Sequence, residues 1–250
     1  MADETQTPEK PNTGRILDRW LDGQHHFPAD AAAAQAFEQL YEGFPGVFHT
    51  LRDYIGRATR SVRDMGIDQF LVFGAGIPSR GNVHEVVPDA RVLYTDIDKA
   101  NVALGREILK GVPNAGYTWC DAADLSTLDR TEVERVLGPL RRLGIVFVGL
   151  AVFIPDDQLR QSFDELYDWA PPGSAMVLDF DSYACSTLPN VVEILQSSGA
   201  PFVMREPETI APLLGRWQLT PDGVQPVATW RNPEAPDVPT FMWGAVVTKD

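Results

Sequence analysis

The chain has 250 residues, enough to bury a sizeable core and few enough to form one domain with additions. Hydrophobic residues make up 44% and charged residues 22%, as in ordinary globular proteins. The formal charge of -14 argues against nucleic acid or an anionic membrane as partner, because both are bound through basic surfaces.

Residues 1–13 are rich in Pro, Thr and charge and are expected to form a disordered tail. This segment has no apolar leader, and no run approaches the roughly 18 apolar residues of a spanning helix. A cytoplasmic protein with no membrane partner is therefore expected. A short helix fits Arg15–Leu21. A second helix fits Ala29–Leu40, with Pro28 in its first turn and Phe37, Leu40 and Tyr41 at helical spacing. After a loop at Gly43–Gly46, a third is expected from Val47 to Met65, with Phe48, Leu51, Tyr54, Ile55, Ala58 and Val62 on one stripe.

From residue 67 the pattern alternates. Strands are expected at Gln69–Phe73, Val92–Thr95, Ala115–Trp119, Gly144–Ala151 and Ala175–Phe180. Helices are expected between them at Val83–Val87, Lys99–Leu109, Thr131–Leu140 and Gln158–Trp169, with another at Leu188–Gln196. Such alternation marks a parallel sheet with crossover helices. At the end, Trp217–Leu219 and Thr240–Val247 are strand-like with no helix between them, so an antiparallel hairpin at the sheet edge is expected. The division is a tail (1–13), a helical cap (14–66) and a Rossmann-like α/β core (67–250).

In an open parallel sheet, ligands gather at the carboxyl ends of the strands. Gly74-Ala75-Gly76 follows the first strand, Asp96-Ile97-Asp98 the second, and Asp121-Ala122 the third. Glycines let the backbone approach a ligand, an acid about 20 residues on can hold a ribose, and one after the third strand can accept from an adenine amino group. Asp96 could equally cap the helix near Lys99, and Asp124 a turn. Taken in order, the three strand ends describe an adenosine-type cofactor site.

The four histidines, His25, His26, His49 and His84, show no metal-ligand spacing, and neither do Cys120 and Cys185, so no metal is expected. His84 could hydrogen-bond within its helix start or contact the ligand; His25 and His26 could be exposed turn residues or a general base. Trp20, Phe27, Tyr41, Phe44, Phe48 and Tyr54 supply aromatics, some of which could line an apolar pocket, with Tyr183 as another wall. No G-x-S-x-G occurs, which disfavours serine-hydrolase chemistry.

The order G-x-G, acid, acid with a terminal hairpin resembles class I S-adenosylmethionine-dependent methyltransferases. The stretches Arg15–Asp30, Gln69–Glu85, Ala90–Asp98, Phe153–Asp157 and Trp230-Arg231 resemble the actinobacterial S-adenosyl methyltransferase family, formerly DUF574. The resemblance implies a mostly parallel Rossmann-like sheet with an N-terminal helical cap. It also implies S-adenosyl-L-methionine as cofactor and methyl transfer to a small molecule, in secondary metabolism. It points to Gly74, Ala75, Gly76, Asn82, Asp96, Ile97, Asp121 and Ala122 for the cofactor, and to His84, His25 and His26 for chemistry. A homo-oligomer is compatible with it. Two departures stand out: Val72 replaces an acid two residues before the first glycine, and Val152 replaces a histidine before F-x-P. The alternatives are a methyltransferase-like protein that no longer transfers methyl, acting as a cyclase, isomerase or ligand-binding protein, and, less favoured by the turn G-A-G-I-P-S, a nicotinamide dehydrogenase.

Overall fold

The computed structural model describes residues 10–78, 80–188, 190, 192–194, 201–235 and 238–250. Three helices come first: α1 (Thr13–Trp20), α2 (Pro28–Leu40) and α3 (Phe44–Asp64). The parallel strands are β1 (Gln69–Phe73), β2 (Arg91–Asp96), β3 (Ala115–Trp119), β4 (Gly144–Phe147) and β5 (Ala175–Asp181). Between them lie α4 (Val83–Val86), α5 (Lys99–Ile108), α6 (Arg130–Leu137) and α7 (Asp156–Trp169). A short α8 (Pro207–Ile210) leads to β6 (Gln218–Leu219), β7 (Gln225–Pro226) and β8 (Met242–Thr248).

The sheet order is β3-β2-β1-β4-β5-β8-β6, with β7 also pairing β8. After β1 the chain fills one side of the sheet, then returns to place β4 on the other side of β1. The β1/β4 boundary is therefore the switch point, where ligands of such sheets sit. β8 runs antiparallel to both β5 and β6. The expected C-terminal hairpin is thus part of the sheet, but β8 is inserted beside β5 rather than appended, and β6 takes the outer place.

Period-two alternation divides the core cleanly. Leu71 and Phe73 of β1, Ile145 and Phe147 of β4, and Met176, Leu178 and Phe180 of β5 face α6 and α7. Phe70, Val72, Val146, Ala175 and Val177 face α3, α4 and α5. On β5 the same alternation carries Asp179 and Asp181 onto the α3 face, behind Ala175 and Val177. The hydroxyl of Tyr54, fully buried on α3, donates to Leu178 O at 2.7 Å and Ala245 O at 3.0 Å, tying the helix to β5 and β8.

Two expectations shift at their edges. α3 begins at Phe44 because Pro45 fits a first turn, absorbing the expected Gly43–Gly46 loop. β4 stops at Phe147, not Ala151, because Gly149 turns the chain with φ of +74°. Residues 151–153 form a single 3-10 turn. The expected helix over residues 188–196 and the tail over residues 1–13 fall partly outside the described residues. No described helix is long and apolar enough to cross a membrane.

Candidate functional site

The glycine turn after β1 is held from three sides. Gly74 and Gly76 have φ of +57° and +61°, backbone shapes that favour glycine. The Ala75 N–H donates to Thr95 O at 2.9 Å, the Gly76 N–H donates to Asp96 Oδ2 at 2.9 Å, and the Tyr117 hydroxyl donates to Gly76 O at 2.8 Å. Asp96 Oδ1 accepts from the Asp98 N–H at 2.8 Å. Burial outweighs these bonds and raises the Asp96 carboxyl above its ordinary range.

Helix α1 lies against this turn. Asn12 caps it, accepting from the Arg15 N–H, and its amide donates to Asp98 Oδ2. A Cβ added to Gly14 would lie 2.9 Å from Asn101 Nδ2 and 3.2 Å from Gly76 Cα, so a side chain there would press the helix and the turn apart. The approach is fixed from behind by buried Asp30, which accepts from the Asn12 N–H, the Phe27 N–H and Arg15 Nε. Burial disfavours charge on Asp30, yet Arg15 and the two backbone donors hold its carboxyl below the usual range.

Between α1–α3 and the carboxyl ends of β1, β4 and β5 lies a cavity of about 250 Å³. Its outer wall is aromatic. The Trp20 ring stacks on Phe44 (5.5 Å between centroids, 5° between planes) and on Phe48 (5.1 Å, 11°). Val72, Val146, Val148 and Val152 form the floor, and Gly74, Ala75 and Gly76 form one edge.

Polar groups enter at two places. On the α4 side, Asn82 is 2% exposed and its Oδ1 accepts from Arg52 Nη1 at 3.1 Å, while Asn82 Nδ2 is buried with no partner among the described residues. Burial lowers the Arg52 pKa, outweighing the attraction of nearby Glu85. On the β5 side, Asp179 is 1% exposed; its Oδ1 accepts from the Gly149 N–H at 2.7 Å and its Oδ2 is buried without a partner among the described residues. Asp181, partly exposed, lines the same wall. Burial pushes both carboxyls up, Asp179 to about 7 and Asp181 to about 8, the latter also through repulsion by Asp179.

The expected site residues divide into groups. Gly74, Ala75, Gly76 and Asn82 line the cavity. Asp96, Ile97, Asp121 and Ala122 do not line it: Asp96 is the last residue of β2, and the others follow the ends of β2 and β3. There Ile97 is 60% exposed with its carbonyl accepting from Trp119 Nε1, and Asp121 Oδ1 accepts from the Ala123 N–H. None of the three expected catalytic histidines lines the cavity. His25 and His26 flank Asp18, with Nδ1 atoms 3.6 and 3.3 Å from its carboxylate oxygens. Asp18 Oδ2 also accepts from the His25 N–H at 2.7 Å. His84 Nδ1 is 2.7 Å from the Tyr94 hydroxyl, which also accepts from the His84 N–H, and burial lowers the imidazole pKa. Tyr183 is 56% exposed and is not a wall of the cavity.

Sequence reasoning missed Arg52, Asp179 and Asp181. The only sign of the two acids was their spacing, one residue apart at the end of an apolar strand. Arg205, 2% exposed, was also missed: its guanidinium donates to Ala151 O, Ile154 O and Asp156 Oδ1, fixing the segment after β4.

A family profile described as S-adenosyl methyltransferase matches residues 2–249. No curated protein matches the chain. The chain is similar to the crystal structure of a duf574 family protein from Streptomyces avermitilis, at 25% identity over 97% of this chain and 98% of that one, with a TM-score of 0.85. It is also similar to a candidate methyltransferase from Thermobifida fusca, at 28% identity over 99% and 100%, again with a TM-score of 0.85. A SAM-dependent methyltransferase from Anabaena variabilis shares the fold, at 14% identity over 74% and 78% with a TM-score of 0.52.

Proposed function

The chain belongs to the S-adenosyl methyltransferase family, with the class I fold and S-adenosyl-L-methionine as its cofactor, and from that premise we propose that it methylates a small, partly apolar molecule held in the cavity. The observation that carries this reading is the enclosure itself: one cavity has the glycine turn for an edge and stacked aromatics for a wall. α1, α2 and the first turns of α3 act as the cap. The reading extends to a role in secondary metabolism, as the family resemblance implies. Two free, buried cysteines fit a reducing cytoplasm.

The residues present fit the cofactor. The turn at Gly74–Gly76 offers close backbone approach, and Asp96, Ile97, Asp121 and Ala122 form a shelf at the next two strand ends for the nucleoside. Asn82 Nδ2 is a buried donor in want of an acceptor, and Arg52 stands beside it. Both suit the carboxylate of an amino-acid end. This pair offsets the acid lost at Val72, whose absence removes one charge-assisted bond worth about 1.5–3 kcal/mol. When bound, the cofactor supplies an electrophilic methyl group on a sulfonium. The chain's share is to position the acceptor, exclude water and manage its proton, tasks that need no catalytic triad. His84, with its Tyr94 bond, and His25 and His26, with Asp18, serve as positioning residues in this reading.

Val72 and Val152, both lining the cavity, favour one second reading: a protein that keeps the pocket but no longer transfers methyl. Titration calorimetry with S-adenosylmethionine and S-adenosylhomocysteine, followed by a labelled-methyl assay, separates the two. Binding that weakens about tenfold or more in Arg52→Ala and Asn82→Ala supports the cofactor assignment. No heat at millimolar ligand overturns it.

A further inference from the structure

We propose that the acidic wall of the cavity, Asp179 with Asp181, is the recognition site for a basic amine on the methyl-accepting substrate, which is therefore an ammonium compound on an apolar frame. This rests on the reading of the cavity as the substrate pocket.

Asp179 carries the case. Asp179 lines the cavity; its Oδ1 is satisfied by the Gly149 N–H, whereas its Oδ2 is buried with nothing to accept from among the described residues. A buried carboxylate oxygen without a donor is costly, and proteins leave few of them without a functional reason. The cation that does act on the pair, Arg205, is committed to Asp156, Ala151 O and Ile154 O, and it lowers only the Asp181 carboxyl. The other charged and titratable groups around the wall are Arg52, Asp18, Tyr54 and Cys185. Tyr54 is already bonded to two carbonyls, and Arg52 to Asn82.

An ammonium supplies what the wall lacks, several N–H donors and a positive charge. The apolar remainder of such a ligand matches Trp20, Phe44, Phe48 and Phe241, which line the same cavity. The strand geometry separates this wall from the cofactor's edge. Asp179 lies on β5, two strands from the glycine turn of β1, roughly 10 Å away at about 4.8 Å per strand. Once ionised, a carboxylate whose proton affinity burial has raised is also suited to take a proton from an ammonium at Oδ2, becoming the neutral acid and leaving the N–H bond pair on nitrogen as a lone pair.

The test uses phenethylamine and phenethyl alcohol, which share an apolar frame and differ in charge, with S-adenosylhomocysteine as an independent ligand. Titration calorimetry on the full chain should find the amine bound roughly ten- to hundredfold more tightly than the alcohol. Asp179→Asn, which keeps an acceptor for Gly149, should erase that preference and leave S-adenosylhomocysteine affinity within about twofold; Asp181→Asn should reduce the preference. Equal binding of the two probes by the unaltered protein overturns the proposal without any variant, as does an amine that fails to bind at millimolar concentration. So does an Asp179→Asn variant that loses homocysteine-ligand affinity while keeping its amine preference, because the carboxylate then serves the cofactor. Failure of S-adenosylhomocysteine to bind the unaltered chain refutes the methyltransferase reading alone, and the amine comparison still decides this one.

Discussion

Gly74→Ala tests whether the glycine turn is a backbone necessity or a convenience. Two costs can be separated. At φ of +57°, an alanine sits in the left-handed region, which costs an L-residue roughly 1–2 kcal/mol. The new Cβ would also lie 2.2 Å from Leu150 Cδ2, 2.7 Å from Cγ and 3.0 Å from Cδ1, so the leucine must leave its place. Overpacking of this kind costs about 1–3 kcal/mol, giving a total of about 2–5 kcal/mol. In a Leu150→Ala background the clash is gone and only the backbone cost remains. Urea unfolding followed by circular dichroism, run as a double-mutant cycle, should return a coupling of about 1–3 kcal/mol. A single variant within about 0.5 kcal/mol of the parent, or an equal penalty in both backgrounds, refutes the reasoning.

Other consequences are open to measurement. Folding raises the Asp179 and Asp181 carboxyls, so between about pH 4, where unfolded carboxyls ionise, and about pH 8 the folded state binds more protons and stability falls as pH rises. His84, lowered by burial, has the opposite slope up to about pH 6.5, so melting curves should be read as the parent minus the Asp179→Asn/Asp181→Asn variant; a difference that does not decline across the window refutes the raised carboxyls. Arg205→Met strips donors from Ala151 O and Ile154 O at about 1–3 kcal/mol each, while Asp156, with a side chain 55% exposed, rehydrates. Arg205→Lys should recover little, because one ammonium cannot span three acceptors, and full recovery in chemical denaturation would argue against the fork. Tyr54→Phe removes both ties from α3 to β5 and β8 and should cost about 1–3 kcal/mol, whereas an unchanged unfolding midpoint would show the hydroxyl to be idle.

How much of this was legible in the chain depends on how local the cause is. The parallel core was readable because Phe70–Phe73 and Ile145–Val148 are continuous apolar runs, as strands covered on both faces must be. The glycine turn was readable because its backbone demand is written in the residues themselves. The place of β8 was not, because nothing local to Met242–Thr248 says whether it pairs with β5, β6 or both. The histidines' place off the cavity lining was not readable for a related reason. Asp22, at φ of +58°, reverses the chain and leaves His25 and His26 against Asp18 outside the cavity. Arg52 and Asn82 meet across 30 residues, and only the packing of α3 on α4 brings them together. Asp179 and Asp181 were visible as two acids on one strand face. Their isolation from donors was not, since it depends on Arg205 being claimed elsewhere.

The crossing of α1 over the glycine turn also bears on the order in which the molecule assembles. Asn12 and Asp98 are 86 positions apart, so the helix made first has its resting place built much later. Loop closure over such a distance must be met before those contacts give anything back. On the ribosome, α1 can pack on α2 and α3 soon after they emerge, but its seat on the glycine turn waits for β1, β2 and the start of α5. The cavity's roof is therefore seated only after the first two strands have formed. A bulky fusion placed just before Asn12 would bear on that late step, slowing completion of the pocket while leaving the sheet free to form.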